Sequence, residues 1–92
     1  PVPVVVNDRA DVALAAGAAG VHLGADDLPV RVVRAMAPPS FIVGASFGDE
    51  SELPDARDAD YVGIGPVHAT ASKLDAGTAI GVAGFARLRT LV

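Results

Sequence analysis

Four short runs of β-branched and other apolar residues recur along the chain, and polar side chains follow each of them. The runs cover residues 2–6, 20–23, 41–44 and 61–64. Their starts are spaced by roughly twenty residues, which is the length of a compact unit of one strand and one helix. The pattern therefore predicts four β-strands separated by short helices.

The intervening segments have the composition and spacing of helices. The predicted helical segments are residues 11–19, 29–36, 50–56 and 81–92. Pro54 lies inside the third segment, so we expect a short or irregular helix there. In the last segment the spacing of apolar residues predicts one buried face. That face would consist of Val82, Phe85, Leu88 and Val92.

Alternating strands and helices predict parallel strands joined by right-handed crossovers. The strands are continuous apolar runs, which is typical of a sheet covered on both faces. Two architectures fit this pattern: a doubly wound open sheet, or part of a (β/α)₈ barrel. An open sheet of this kind commonly carries a Gly-rich first turn, G-x-G-x-x-G, and the sequence contains none.

Polar residues beyond the strands favour the barrel. In a barrel the carboxyl ends of all strands share one rim, where barrel enzymes hold their active sites. The residues that follow the four predicted strands in turn are Asn7 and Asp8; Asp26 and Asp27; Ser46; and Thr70, Ser72 and Lys73. We therefore predict an α/β fold that is part of a (β/α)₈ TIM barrel, with about four βα units. Because a full barrel needs about 200–250 residues, residues 1–92 are expected to form one partial domain, incomplete at both ends.

Composition and charge narrow the classes of function. The chain is 51% hydrophobic and 20% charged, which suits a globular domain. Its formal net charge of −4 argues against a nucleic-acid or anionic-membrane surface. No apolar run approaches the roughly 18–20 residues that span a bilayer, and the absence of cysteine excludes disulfides and cysteine-bound metals. We expect a cytoplasmic protein whose first residues lie upstream of Pro1, with small-molecule partners and a possible homo-oligomeric state.

Two long segments resemble the thiamine phosphate synthase family. They read V-N-D-R-A-D-V-A-L-A-A-G-A-A-G-V-H-L-G-A-D-D-L-P and D-Y-V-G-I-G-P-V-H-A-T-A-S-K-L-D-A-G. Members of that family are TIM barrels of about twice this length, and the resemblance implies that these are strands three to six. It also implies the family's reaction, which requires Mg²⁺. A pyrimidine carried as its methyl diphosphate couples to a thiazole phosphate, and thiamine phosphate and pyrophosphate are formed.

The resemblance assigns Asp8 and Asp27 to the magnesium ion. From the residues alone, capping of the helices that follow them is an equally ordinary use of these carboxylates. Asp26 is the neighbouring alternative to Asp27. The resemblance also implies that Asn7 and Ser46 contact pyrophosphate, although a serine after a strand is commonly a turn or cap residue.

Lys73 is the only lysine in the chain, against six arginines. An ammonium on a flexible stem suits a phosphate as a point charge. The resemblance implies that Lys73 contacts pyrophosphate, so Ser46 and Lys73 are the expected catalytic pair, and that Thr70 and Ser72 bind the phosphate of the thiazole. His22 is expected to be a packed or hydrogen-bonded histidine, and His68 is given no role.

Three departures from the family pattern bear on substrate packing. They are Ala25, Phe47-Gly48-Asp49 and His68-Ala69. Two other functions remain open: a thiazole tautomerase-like relative, which uses a histidine where Phe47-Gly48 stands here, and a non-catalytic half-barrel that binds phosphate. Because the family's remaining site residues would lie outside residues 1–92, we expect this chain alone to be inactive.

Overall fold

Four parallel strands alternate with helices in the computed structural model of the chain, which describes residues 1–71 and 77–92. A short 3₁₀ helix at Glu50–Glu52 leads directly into the third α-helix, as the proline in that segment predicted. The elements are β1 (Val5–Asn7), α1 (Ala10–Ala15), β2 (Gly20–Leu23), α2 (Val30–Met36), β3 (Ile42–Phe47), α3 (Leu53–Asp58), β4 (Tyr61–Ile64) and α4 (Gly81–Arg89).

The order of the strands in the sheet is their order in the sequence, β1-β2-β3-β4, and every pair is parallel. The register places Asn7 opposite His22, His22 opposite Gly44, and Gly44 opposite Tyr61. A doubly wound sheet reverses its strand order at a switch point. The unbroken order is instead the arrangement of a barrel wall.

The apolar core lies on one face of this sheet. Alternate strand residues point to opposite faces, and the buried strand residues on one face pack against α1 and α2 in a first cluster: Val21, Leu23, Val43 and Ala45 with Ala10, Ala13, Val30 and Val33. A second cluster joins Phe47 of β3 to Ala56 of α3 and Leu88 of α4. All helices of residues 1–71 and 77–92 thus cover the same face. This excludes the doubly wound alternative, which needs helices on both faces, and confirms a partial TIM barrel.

The opposite face of the sheet is not covered by any helix of the described chain. The expectation that both faces are covered stays a prediction for the complete protein, because in a complete barrel this second face is turned to the packed interior. Small residues allow close packing on it. A Cβ atom added to Gly20 would lie 2.7 Å from the Cβ of Ile42, too close for any side chain there.

Several boundaries differ from those predicted. The first strand begins at Val5 instead of residue 2, since Pro1 and Pro3 have no N–H to donate to the sheet. The first helix ends at Ala15 instead of residue 19 because Gly17, with a φ of 70°, reverses the chain. The third strand extends to Phe47, so Ser46 lies within the strand and not after it.

The predicted apolar face of the last helix is only partly buried. Leu88 is 1% exposed, whereas the exposed fractions of Val82, Phe85 and Val92 are 72%, 37% and 51%. The helix ends at Arg89, so Val92 lies beyond it. Leu88 packs against the helix-covered face of β3 and β4, and the other three apolar side chains do not belong to that buried cluster. None of the helices seen in residues 1–71 and 77–92 combines the length and apolar character that crossing a bilayer requires.

One arginine joins three elements at the amino ends of the strands. Arg34 of α2 donates from Nη2 to the backbone carbonyl of Asp58 at 2.9 Å, and its Nη1 lies 3.0 Å from Oδ2 of Asp60. The same carboxylate oxygen accepts the backbone N–H of Val43 at 2.8 Å. The guanidinium of Arg34, and then the N–H of Val43, lower the pKa of Asp60 below its ordinary value.

We predict that this carboxylate stabilises the fold only when it is ionised. Because the pKa of Asp60 is lower in the folded chain than in the unfolded chain, its contribution is complete above about pH 4 and is lost as the pH falls through the folded pKa. In the complete protein that contains this chain, Asp60→Asn should lower the free energy of unfolding at pH 7 by about 0.5–1 kcal/mol, since the pair is half exposed. Urea denaturation at pH 7 and at about pH 3 measures both values. Asp58→Asn is the matched control, because only its backbone carbonyl contacts Arg34. An equal loss in both variants, or an Asp60→Asn effect that does not shrink between pH 7 and about pH 3, would contradict this role.

Candidate functional site

Asn7 and Asp8 lie together where the first strand ends. Asn7 is the last residue of β1, and the backbone N–H of Asp8 donates to the carbonyl of His22 at 2.8 Å. The N–H of Arg9 donates to the carbonyl of Asn7 at 2.7 Å, which closes a tight turn around Asp8. Asp8 has a φ of 71°, and it is the one described residue other than glycine with a positive φ. The chain thus holds this aspartate in an uncommon conformation, of the kind that tends to occur at functional sites.

Asp27 closes the loop between β2 and α2. Its Oδ2 accepts the backbone N–H of Gly24 at 2.7 Å, and its own N–H donates to the carbonyl of Gly24 at 3.2 Å. The first N–H of α2 is satisfied instead by Asp55 of α3, whose Oδ1 lies 3.1 Å from the N atom of Val30. The alternative that Asp27 caps this helix is therefore wrong. One oxygen of the Asp27 carboxylate fixes the loop, and no hydrogen bond from a described residue reaches the other.

The two aspartates flank the same strand end. Asp8 is bonded to His22 within β2, and Asp27 is bonded to Gly24, the first residue after β2. Within the described ranges, no group of three or more His, Cys, Asp or Glu side chains is placed to hold a metal ion. Mg²⁺ commonly takes one or two carboxylates, with water and phosphate oxygens completing its shell.

Ser46 lies on the helix-free face of β3, where it contacts the histidine of the neighbouring strand. Its Oγ is 3.1 Å from Nε2 of His22, and Nδ1 of His22 is 3.0 Å from the hydroxyl of Tyr61. His22 is thus hydrogen-bonded, as expected. Tyr61 was not among the predicted site residues. The clue in the sequence was a single tyrosine at the start of a strand, but its contact with His22 depends on a register that the sequence did not give.

Among the described residues, Ser46 is the one predicted site residue that lines a cleft at the carboxyl ends of the strands, and Asp26, the alternative to Asp27, lines it as well. His22, Gly63 and Gly65 also line it. Its lining does not include four other predicted residues of the described chain: Asn7, Asp8, Asp27 and Thr70. Thr70 lies in the loop after β4 and is exposed. Ser72 and Lys73 lie outside the described residues.

Two basic residues near these strand ends are already paired. Arg9, next to Asp8, donates to both carboxylate oxygens of Asp11 at 2.9 and 2.7 Å. This hydrogen-bonded pair lowers the pKa of Asp11 to about 2. Arg87, which lines the cleft, is bonded to Glu50.

Comparison with known proteins places the chain among one group of enzymes. The family model described as thiamine monophosphate synthase matches residues 1–92. A thiamine-phosphate synthase of Azorhizobium caulinodans is 52% identical over 91 residues, which are 97% of this chain and 43% of that protein. One of Methanoculleus marisnigri is 51% identical over 96% of this chain and 43% of that protein. A solved thiamine phosphate pyrophosphorylase of Pyrococcus furiosus superposes with a TM-score of 0.73 and 43% identity, over 96% of this chain and 40% of that one. The chain therefore spans about two fifths of the length of these relatives.

The bond between Asp27 and Gly24 predicts different effects for two substitutions. Asp27→Asn keeps an oxygen that can accept the Gly24 N–H, whereas Asp27→Ala removes it. In the complete protein, Asp27→Ala should lower the free energy of unfolding by about 1–2 kcal/mol, as expected for a hydrogen bond to a charged group. Asp27→Asn should cost less than about half of that.

Chemical denaturation without added metal measures both effects. Asp26→Ala is the matched control, because Asp26 is exposed and its substitution should change stability by less than about 0.5 kcal/mol. Equal stability of the two Asp27 variants would show that the bond to Gly24 does not hold the loop.

Proposed function

The chain belongs to the thiamine monophosphate synthase family, and on that premise we propose that the complete protein containing it forms thiamine phosphate. Its substrates would be 4-amino-2-methyl-5-(diphosphomethyl)pyrimidine and a thiazole phosphate, and its second product would be pyrophosphate. The observation that carries this proposal is the family match over all 92 residues. The positions of the described site residues support it: Asn7 and Asp8 lie at the end of β1, Asp27 lies after β2, and Ser46 lies near the end of β3.

Asp8 and Asp27 would hold a magnesium ion. The donor set fits, because two carboxylates flank one strand end and Asp27 keeps one oxygen that is not used by the loop. When bound, the ion would supply positive charge to the diphosphate oxygens. The strained turn at Asp8 and the Gly24 bond of Asp27 would fix the direction of both side chains before the ion binds.

The remaining residues would bind the two phosphorylated groups. Asn7, Ser46 and Lys73 would donate to the diphosphate, and Thr70 and Ser72 would donate to the thiazole phosphate. In the reaction the bond between the pyrimidine methylene carbon and the diphosphate oxygen breaks, and its electron pair leaves with pyrophosphate. The lone pair of the thiazole nitrogen forms the new bond to that carbon. Donors aimed at the leaving oxygens lower the barrier by electrostatic stabilisation, and two fixed phosphate sites hold the reactants in line.

The alternative of a thiazole tautomerase-like activity finds less support in the structure. That activity would need a proton-transferring side chain after the third strand. Phe47 is fully buried against Ala56 and Leu88 on the helix-covered face, and Gly48 has no side chain. A Cβ on Gly48 would collide with the carbonyl oxygen of Gly65, so a larger residue does not fit there.

Removing the charge of either proposed magnesium ligand should abolish coupling. In the complete protein we expect Asp8→Asn and Asp27→Asn each to lower kcat/KM for thiamine phosphate formation by at least about 100-fold, because a neutral amide replaces a carboxylate on a hard cation. Magnesium titration of the initial rate, with the product quantified by chromatography, measures the effect. Asp26→Asn should keep a rate within about threefold of the parent. If the Asp27→Asn variant formed thiamine phosphate at the parent rate and with the parent's dependence on magnesium, the metal assignment would be wrong.

The isolated 92-residue chain should not form thiamine phosphate. It spans about two fifths of its relatives, and its sheet has two strand edges with no partner in the described chain. The same assay at matched concentrations of the chain and of the complete protein tests this, and size-exclusion chromatography reports whether the chain aggregates, dimerises or stays monomeric. Turnover by the isolated chain at the rate of the complete protein would refute the prediction. A defined, inactive dimer that binds inorganic phosphate would support a half-barrel binding module instead.

A further inference from the structure

Three side chains form a continuous hydrogen-bonded row across β2, β3 and β4. His22 lies at its centre, and each of its ring nitrogens has a different partner. Nδ1 lies 3.0 Å from the Tyr61 hydroxyl, and Nε2 lies 3.1 Å from Oγ of Ser46. The row lies on the helix-free face, and His22 and Ser46 line the cleft at the carboxyl ends.

One glycine makes room for this row. Gly44 separates His22 from Tyr61 in the sheet register, and a Cβ at Gly44 would lie 2.5 Å from the Tyr61 hydroxyl oxygen. An alanine at this position would therefore push the tyrosine ring away from His22. A Cβ added to Gly63 would lie 3.5 Å from Cε1 of His22, which is an ordinary van der Waals contact. The rings of His22 and Tyr61 are 5.5 Å apart and tilted by 34°.

The direction of the hydrogen bonds decides what Ser46 can offer to a ligand. A neutral imidazole carries one proton, so one nitrogen donates and the other accepts. If the Tyr61 hydroxyl donates to Nδ1, then Nε2 donates to Ser46, and the hydroxyl proton of Ser46 is free to point into the cleft. If Nδ1 donates to Tyr61, Nε2 accepts the proton of Ser46, and the serine presents only lone pairs. An anionic phosphate oxygen can be bound only in the first case.

We propose that Tyr61 and His22 are positioning residues that make Ser46 a hydrogen-bond donor to a diphosphate oxygen. The tyrosine donates to Nδ1, the histidine donates from Nε2, and the serine donates to the ligand. No proton is transferred; the row fixes the tautomer of His22 and thereby the direction of the serine proton. The inference rests on the proposed function, since it takes the diphosphate as the ligand of Ser46.

A double-mutant cycle in the complete protein tests the row. The probe is inorganic pyrophosphate in magnesium buffer, and titration calorimetry measures its affinity. Ser46→Ala should weaken binding about 10-fold or more, as expected for a hydrogen bond to a charged group. Tyr61→Phe keeps the ring but removes the donor, and it should weaken binding about 3–10-fold. Because Tyr61 acts through Ser46, the double variant should bind within about twofold of Ser46→Ala alone. Additive losses, an unchanged affinity in Tyr61→Phe, or no pyrophosphate binding by the parent would each overturn the proposal.

The tautomer of His22 can be measured without an assay of enzyme activity. Nitrogen NMR of the parent at about pH 8.5, where an ordinary imidazole is neutral, should show a protonated Nε2 and an unprotonated Nδ1, with the signals assigned by comparison with His22→Gln. The opposite tautomer would overturn the proposal.

Thr90→Val is the control for the binding experiment, because it removes a hydroxyl whose hydrogen bond goes to the Arg87 carbonyl, and it should leave pyrophosphate affinity unchanged. Thiamine phosphate formation is assayed separately, so a failure of the proposed function is distinguished from a failure of this row.

Discussion

Parallel pairing of the strands in the order of the sequence brings four carboxyl ends to one edge, and the site depends on this arrangement. The register that results places Gly44 between His22 and Tyr61, and a glycine there leaves the space in which their side chains meet. The hydrogen bond between Asp8 and the His22 carbonyl extends the same pairing one residue beyond β1. A different register would separate these groups even if every strand formed, because a shift of one residue turns each side chain to the other face.

The two ends of the sheet have different physical characters. At the amino ends, Arg34 joins a carbonyl of α3 to the Asp60 carboxylate before β4, and these bonds hold elements together. At the carboxyl ends, Asp8 has a strained backbone and Asp27 holds its loop with one oxygen only. In barrels, stability is concentrated at the first end and chemistry at the second. In this chain Asp8, the one described non-glycine residue with a positive φ, lies at the carboxyl ends, where a ligand is proposed to bind.

Much of the fold was predictable because it depends on local patterns. The runs at residues 20–23 and 61–64 became β2 and β4 with the predicted bounds, and Pro54 correctly indicated an irregular third helix. The errors arose where partners decide the outcome. The apolar side of α4 is mostly exposed because burial depends on what lies against a helix as well as on its own pattern. Loop closure brings Asp27 to Gly24, and strand register brings Tyr61 to His22. The periodicity of apolar residues in the sequence specifies neither loop closure nor register.

The distribution of charge along the carboxyl edge connects the fold with the proposed chemistry. The carboxylates of Asp8 and Asp27 flank the end of β2, whereas the neutral hydroxyl of Ser46 lies near the end of β3. A magnesium diphosphate has a cationic centre and anionic oxygens, and it would match such an edge from the acidic side to the hydroxyl side. Neither group alone specifies this ligand, because a carboxylate pair repels free diphosphate and a lone serine binds it weakly. Selectivity for the metal-bound diphosphate would therefore arise from neighbouring strands acting together, which is a property of the sheet and not of any one motif.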